Sequence, residues 1–400
     1  MTQDASHTPE IDPQRQERAR AYGRLRRRVT ALNLLLTVAF LLAWWLTGIT
    51  FALRDVTASL PAWAALAIYA LILGLAYLIV QAPLTWYSGY VLPHRYGLST
   101  QTPRQWLADE AKATLLGSAL GLALLEGVYA LMRSRPDTWW LWAAISYLGV
   151  TVVLAQLAPV LIAPLFYKFT PLIERSDDPE QRARDQDLAR RLTALAERAG
   201  TRVRGVYAFD ISRTTTAANA ALMGLGATRR IVLGDTLLDH YTPDEIEAVL
   251  AHELGHHVHG DLGKNILLAT GLMFGSFYLA HLALQWGIRR FGFQGLADLA
   301  AMPWFLLVLT AWAVFTMPLQ NAWSRWRERL ADRYALESTG RPSAFKAAMI
   351  RLANQNLAEL DPPRWAVWLL YSHPPIGQRI RLADQTATEG RSPHTSPQER

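Results

Sequence analysis

The chain contains no cysteine. Disulfides are excluded, and so is any thiolate ligand, which leaves imidazole and carboxylate to bind a metal. A cleavable leader is not expected either: the first 28 residues are polar and end in Arg24, Arg26, Arg27 and Arg28. There is no internal repeat. Histidine is scarce, ten in 400 residues, so a patterned pair of them carries information. Long apolar runs are abundant, and they alternate with Arg-rich polar stretches. The mean hydropathy of +0.08 averages these two unlike parts. The net charge of +7 gathers around the ends of the apolar runs. That pattern reads as membrane topology, with no nucleic-acid partner. Fifteen tryptophans fit anchoring at a bilayer interface.

The order of these stretches predicts a mainly α, multi-pass membrane protein. Residues 1–28 read as a disordered basic tail. An N-terminal membrane region, 29–165, holds four spans at 29–49, 61–80, 113–132 and 139–161. A polar block over 166–265 reads as a small α/β domain. Two more spans follow within 266–320, at 266–286 and 303–319. Residues 321–385 read as further helices outside the bilayer, and 386–400 as a disordered tail. Within the polar block, 181–199 is expected to be a helix with Leu188, Leu192 and Leu195 on one stripe and Gly200 as its stop. Strands are expected at 203–209, 217–222 and 230–233, with Met223-Gly224-Leu225-Gly226 as the turn between the last two. Seven arginines precede the first span, and Arg95, Arg104 and Lys112 lie between the second and third. The bias puts both termini and the α/β domain in the cytoplasm.

The polar block ends in His252-Glu253-Leu254-Gly255-His256. On a helix, positions four apart share a face, so two imidazoles can hold one zinc ion while Glu253 flanks the ion's open position. The flanks support a helix. Thr242-Pro243-Asp244-Glu245 has capping-box spacing with proline at the first helical position, and Ile246, Val249, Leu250 and Leu254 recur at helical spacing. A catalytic zinc needs a third protein ligand. Glu328 and Asp332, four apart after the sixth span, are candidates. Helical rise puts Glu328 and His256 at similar distances from their membrane spans, so they can reach one plane. Asp332 could then accept a hydrogen bond from a ligand imidazole. Spacing alone equally allows Glu328 and Asp332 to pair with nearby arginines on a solvated face. A straight helix cannot easily wrap His259 around the same ion as well, which makes it a solvent-facing or supporting residue, and His257 is expected to be structural.

His252–His256, Ser324-Arg325-x-x-Glu328-x-x-Ala331-Asp332, and Tyr371-Ser372-His373-Pro374-Pro375 with Arg379 closely resemble the type I CAAX prenyl endopeptidases. These are integral-membrane zinc proteases. Further matches are Ile162-Ala163-Pro164-Leu165-Phe166, Lys168-Phe169-Thr170-Pro171-Leu172, Asn219-Ala220, Arg230-Ile231-Val232-Leu233, and His94-Arg95-Tyr96-Gly97-Leu98-Ser99. The resemblance runs from about residue 30 to 382. It implies one zinc ion on His252, His256 and Glu328, Glu253 as catalytic base, and Asp332 behind the ligands. It implies an edge strand at Asn219-Ala220 that pairs with an extended substrate. His373 and Arg379 would face the scissile carbonyl and stabilise its oxyanion. The implied fold is a ring of membrane helices around a water-filled chamber, capped by a zincin-like domain. Glu126, Gln156 and His281 lie within spans, where a wet interior or helix–helix hydrogen bonding would explain them.

Two departures stand out. Eukaryotic members have seven spans, and the six read here begin at what would be their second. His257 replaces a tryptophan frequent after the second ligand. The compact chain, without the family's acidic insertion before the metal helix, is expected to be bacterial and to lie in the inner membrane. The expected activity is hydrolysis of peptide bonds in a peptide or membrane-protein substrate, lipidated or not. An HtpX-type quality-control protease is the rival within enzymes. A non-catalytic membrane scaffold with a vestigial zinc site is the rival outside them. A transporter using Glu126 and His281 lacks the paired broken helices it would need.

Overall fold

The computed structural model describes residues 9–224 and 226–389. Among the described residues, six helices are long and apolar enough to cross a membrane, in the places expected. The first, α1 (Pro13–Leu46), is followed by a short helix that sequence reading missed, α2 (Ile49–Thr57). Gly48, at φ +81, makes the turn between them, and Thr50 fixes α2 by hydrogen bonds to the Tyr69 hydroxyl and the Ala300 carbonyl. The second span, α3 (Ala62–Trp86), runs through a π-helical turn into α4 (Leu92–Arg95); α5 (Pro103–Ser134) and α6 (Trp139–Leu157) complete the N-terminal set. A second π turn, Ala158–Ile162, ends α6.

The first correction concerns the basic tail. From Pro13 onward it is helix. Asp12 caps it, accepting from the Gln14 and Arg15 amides, and Pro13 sits where a missing N–H costs nothing. Polar composition argued for disorder, but these turns dock. Ala19 and Gln16 are buried. The Gln16 amide donates to the Ala358 carbonyl and accepts from the Leu360 amide, and Arg27 pairs with buried Glu359 at 2.6 Å. Residues 1–8 lie outside the described part.

The α/β unit is a four-stranded sheet in the order β1-β2-β4-β3. Its strands are β1 (Phe169–Pro171), β2 (Val206–Phe209), β3 (Ala220–Met223) and β4 (Arg230–Gly234). β2 and β4 run parallel, and the other pairs are antiparallel. The three expected strands are present with shifted ends. β1 was missed, because three residues ending in proline carry no alternation to read. Leu225 of the expected turn is outside the described residues. Gly224 and Gly226 on either side have φ of +84 and +54, the left-handed conformation glycine accepts at little cost.

Helix α7 (Pro179–Arg198) matches the expected helix and buries Leu188, Leu192 and Leu195. After α8 (Asp235–His240) comes the helix of the His-Glu-x-x-His segment, α9 (Pro243–Val258), with the capping box formed between Thr242 and Glu245. Ile246, Leu250 and Leu254 join the α7 stripe, Ile231 and Leu233 in one core.

Besides the boundary at 28/29 in α1, the expected boundaries at 265/266, 320/321 and 385/386 fall inside helices. α10 (Asp261–Phe291) starts before the apolar run of the fifth span. α11 (Met302–Thr339) carries the sixth span and the Glu328 segment on one 38-residue rod, about 57 Å at helical rise. Hydropathy marks the bilayer, whereas helices end where caps stop them. Gly260 and Gly340, both left-handed, are those stops. The chain then forms α12 (Pro342–Gln355), α13 (Arg364–Leu370) and α14 (Ile376–Glu389). Residues 386–389, expected to be disordered, are the last turn of α14, and 390–400 lie outside the described part.

A second core joins the membrane helices through Tyr69, Tyr129, Trp139, Phe277 and Phe305. His281 belongs to it by helix–helix hydrogen bonding: its Nδ1 accepts from Trp139 Nε1 at 3.0 Å. Gln156 is exposed, and Glu126 Oε1 has no partner among the described residues.

Candidate active site

Helices α9 and α11 approach closely because Gly255 lacks a side chain. A Cβ there would lie 2.8 Å from Ala331 Cα, less than any carbon pair tolerates. That contact sets His252 and His256, one turn apart on α9, against Glu328, one turn before Asp332 on α11. His252 Nε2 lies 3.3 Å from Glu328 Oε2, and His256 Nε2 lies 3.4 Å from Glu328 Oε1. One donor atom from each of the three residues falls within 4.8 Å of the others. Spacing left Glu328 open between ligand and surface ion pair. The structure puts it, buried, between the two imidazoles.

The far side of each ring is held by a carboxylate. His252 Nδ1 is 2.8 Å from Asp332 Oδ1, and His256 Nδ1 is 2.7 Å from Asp261 Oδ2. A carboxylate there selects the Nδ1–H tautomer and turns the Nε2 lone pair toward Glu328. Each carboxylate is clamped in turn by an arginine. Arg379 donates to Asp332 through Nε at 3.0 Å and through Nη2 at 2.5 Å. Arg327 donates to Asp261 through Nε at 2.6 Å and also through Nη2. Sequence reading found Asp332 but missed Asp261 and Arg327. Asp261 is the first residue of α10, after the Gly260 stop, and no periodicity ties it to His256.

Do these residues fit a metal? Glu328 Oε2 is buried and accepts no hydrogen bond among the described residues, although His252 Nε2 is 3.3 Å away. The donors point at a common space rather than at each other. Two neutral imidazoles and a carboxylate, each braced from behind, suit a zinc ion and leave one coordination position open. Burial disfavours the His252 imidazolium, but the neighbouring Asp332 and Glu328 carboxylates outweigh it and push the ring up to about 9. The cluster calls for positive charge, a proton's or a metal's.

Around this centre the other expected residues sort clearly. Glu253 is half-buried on α9 and its carboxylate has no hydrogen bond or ion pair among the described residues. His373, well exposed, reaches in from the loop before α14 with Nε2 3.2 Å from Glu328 Oε1. Ser372 Oγ holds its Nδ1 at 2.9 Å. Arg379 has a different placement from the one expected. Its Nη2 lies 3.2 Å from His252 Nδ1 as well as on Asp332, so it sits behind the ring, away from Nε2. Its charge still bears on Glu328 and Glu253. His259 caps α9 and meets the Leu330 carbonyl at 3.3 Å, and His257 lies beside Arg229; neither joins the cluster.

β3 packs on α9 and forms one edge of the sheet. The Asn219 carbonyl accepts from the Gly234 amide, so in the alternation of an antiparallel pair Ala221 and Met223 also face β4. Ala218, Ala220 and Leu222 face outward. Ala218 is already occupied: its N–H donates to Asn356 Oδ1 at 3.0 Å, and its carbonyl accepts from Asn356 Nδ2. The open edge is thus the backbone of Ala220 and Leu222. A cavity of about 310 Å³ adjoins the centre between α10 and α11, lined by His256, Glu328, Asn265, Leu268, Gln320 and Asn321.

Known proteins resemble this arrangement over nearly the whole chain. Residues 182–387 match the sequence model of peptidase family M48. Residues 4–168 match that of the CAAX prenyl protease N-terminal region, described as five membrane helices; the described residues of this stretch hold four long enough to span. A Bacillus subtilis protein named as the uncharacterized metalloprotease YhfN is 31% identical over 79% of this chain and 72% of its own length. CAAX prenyl protease 1 of Saccharomyces cerevisiae is 30% identical over 76% of this chain and 69% of its own. The crystal structure of S. mikatae Ste24p superposes with a TM-score of 0.80, covering 95% of this chain and 93% of that one at 24% identity, which shows a shared fold.

Proposed function

Since this chain belongs to peptidase family M48 and is a multi-pass membrane metalloendopeptidase, we propose that it works with one zinc ion on His252, His256 and Glu328. The observation that carries the proposal is the paired bracing of the imidazoles, which aims both Nε2 atoms at a buried carboxylate with an unpartnered oxygen. Zinc bound there would polarise the scissile carbonyl and acidify the attacking water.

The protein's own residues do the rest. An extended substrate lies along β3, paired with the backbone of Ala220 and Leu222, while Asn356 blocks further pairing at Ala218. Asn219 sits at the start of that edge with its side chain exposed. Glu253, next to a ligand and without a competing partner, takes the proton of the attacking water and passes it to the leaving amine. His373 reaches over the open side and donates to the developing oxyanion. Arg379 contributes through charge and through Asp332. The substrate is an extended peptide or a segment of a membrane protein, lipidated or not; the cavity beside Glu328 takes one of its side chains. The arginine bias places the metal domain and both termini in the cytoplasm.

The test is Glu253→Gln, assayed on casein and on a prenylated peptide. Metal analysis should find zinc retained, with cleavage reduced at least about 100-fold. Full activity in detergent with Gln at 253 would overturn the mechanism.

A further inference from the structure

A second cluster of charge lies away from the metal. Lys112, Lys168, Arg213 and Arg230 line a pocket of about 570 Å³ together with Phe166 and Leu165. The carboxylate that touches their side chains is Asp109, 3.1 Å from Lys112 Nζ and 3.2 Å from Arg213 Nη1; a second, Asp210, accepts from the Lys168 backbone amide at 2.7 Å. Four cations therefore meet two anions, a net positive pocket. The arginines are anchored mostly by neutral groups. Arg213 donates to the Phe166 carbonyl. Arg230 donates to the Pro159 carbonyl at 2.7 Å and lies over the rings of Phe169 and Tyr207. Pro159 belongs to the π turn ending α6, five residues before Pro164. In π geometry the amide of residue 164 would bond that carbonyl; proline has none, and Arg230 fills the gap. Lys168 is exposed, and among the described residues its ammonium pairs with no carboxylate.

The pocket's level is fixed by the helices that build it. Lys112 immediately precedes the charge-free start of the third span, and Leu165 follows the end of the fourth. Val160, Leu161 and Leu165 remain 52%, 59% and 55% exposed. Cations and bare apolar surface thus meet at the end of a membrane helix. Soluble anions need no such apolar neighbour, whereas a phospholipid matches both halves.

We propose that this pocket binds the phosphate of an anionic phospholipid, with the acyl chains against Val160, Leu161 and Leu165. Lys112 and Lys168 supply mobile charge, and Arg213 and Arg230 supply fixed donors. The bound lipid joins α5 and α6 to β1 and β4.

The test uses the full chain in mixed micelles of phosphatidylglycerol and phosphatidylcholine, read by native mass spectrometry. Wild type should retain phosphatidylglycerol in preference to phosphatidylcholine. At about 1 kcal/mol per lysine, the Lys112→Gln/Lys168→Gln double variant should lose roughly thirtyfold of that retention, and a Lys112→Arg/Lys168→Arg protein should keep it. Arg104→Gln/Lys264→Gln, which removes two exposed cations outside the pocket, should leave retention unchanged. An equal loss in that control, or equal retention of the two lipids by wild type, would overturn the site. Displacement of the lipid by glycerol phosphate or inorganic phosphate at matching concentration would overturn the lipid as its ligand.

Discussion

The two imidazoles of the proposed metal centre are braced alike but housed differently. His252 and its brace lie deep. Asp332 is 1% exposed, and its clamp Arg379 comes from α14, in the core of the α/β unit. His256 borders the cavity between α10 and α11, with 27% of its side chain exposed. Its brace, Asp261, is the first residue of a membrane-crossing helix, and its clamp Arg327 sits on the rod that carries the sixth span. Both sides therefore draw on α11, which carries Asp332 and Arg327, but the His252 side is completed by α14 of the α/β unit and the His256 side by a second membrane helix, α10. The catalytic domain is tied to its membrane part through a ligand, so neither half is expected to hold metal alone.

Three substitutions probe this division. Glu328→Gln removes the group both rings share, and the protein should emerge from desalting without metal or cleavage. Asp332→Asn and Asp261→Asn separate the two sides. Loss of such a brace costs about 10–100-fold in metal affinity. Each leaves an arginine against a neutral amide, but Asp332→Asn should lie at the upper end, because Asp332 is 1% exposed and water does not reach it. Asp261→Asn should lie at the lower end, since water from the cavity can replace part of the lost contact. Competition against a metal chelator measures both, and equal losses would break the comparison.

Gly255→Ala moves both sides together. The new methyl must displace Ala331 or shift α9, at a cost of about 1–3 kcal/mol, and both Nε2 atoms leave Glu328 at once. Expected results are a lower melting temperature and weaker metal binding, with wild-type selectivity between the two brace variants. Normal metal affinity in this variant would show that the close approach does not set the ligand geometry.

What the sequence revealed follows from the range of the physics involved. The pentapeptide, its capping box and the six spans depend on local spacing, and all are where the pattern put them. Measuring two helices from the same membrane plane made Glu328 a candidate, and only the family resemblance favoured it over a surface ion pair. Asp261, Arg327 and Asn356 were not, since each acts on a residue far away in sequence or across a glycine stop. The polar start of α1 misled for the same reason. Its arginines looked solvated until Glu359, more than 300 residues on, was found against Arg27. Arg379 was visible as a residue, but its seat behind His252 depends on the packing of α14.

The smallest expected effect separates the two rings by pH. In chelator-stripped protein the His252 ring is pushed up to about 9, above its ordinary 6.5, because the Asp332 and Glu328 carboxylates outweigh burial. A raised folded-state value means the charged ring stabilises the fold. That contribution is complete below about pH 6.5 and is lost as pH rises through about 9. Metal-free protein should thus melt a few degrees lower at pH 9 than at pH 6.5, whereas zinc-loaded protein, whose ring stays neutral throughout, should not show this fall. The His256 ring is raised too, with burial opposed by Glu328 and Asp261, but it is nearer water and contributes less. Stripped Asp332→Asn protein should therefore lose most of the pH dependence, and stripped Asp261→Asn protein should keep it. The reverse ranking would place the dominant charge site on the membrane-linked ring and invert the division between the two sides.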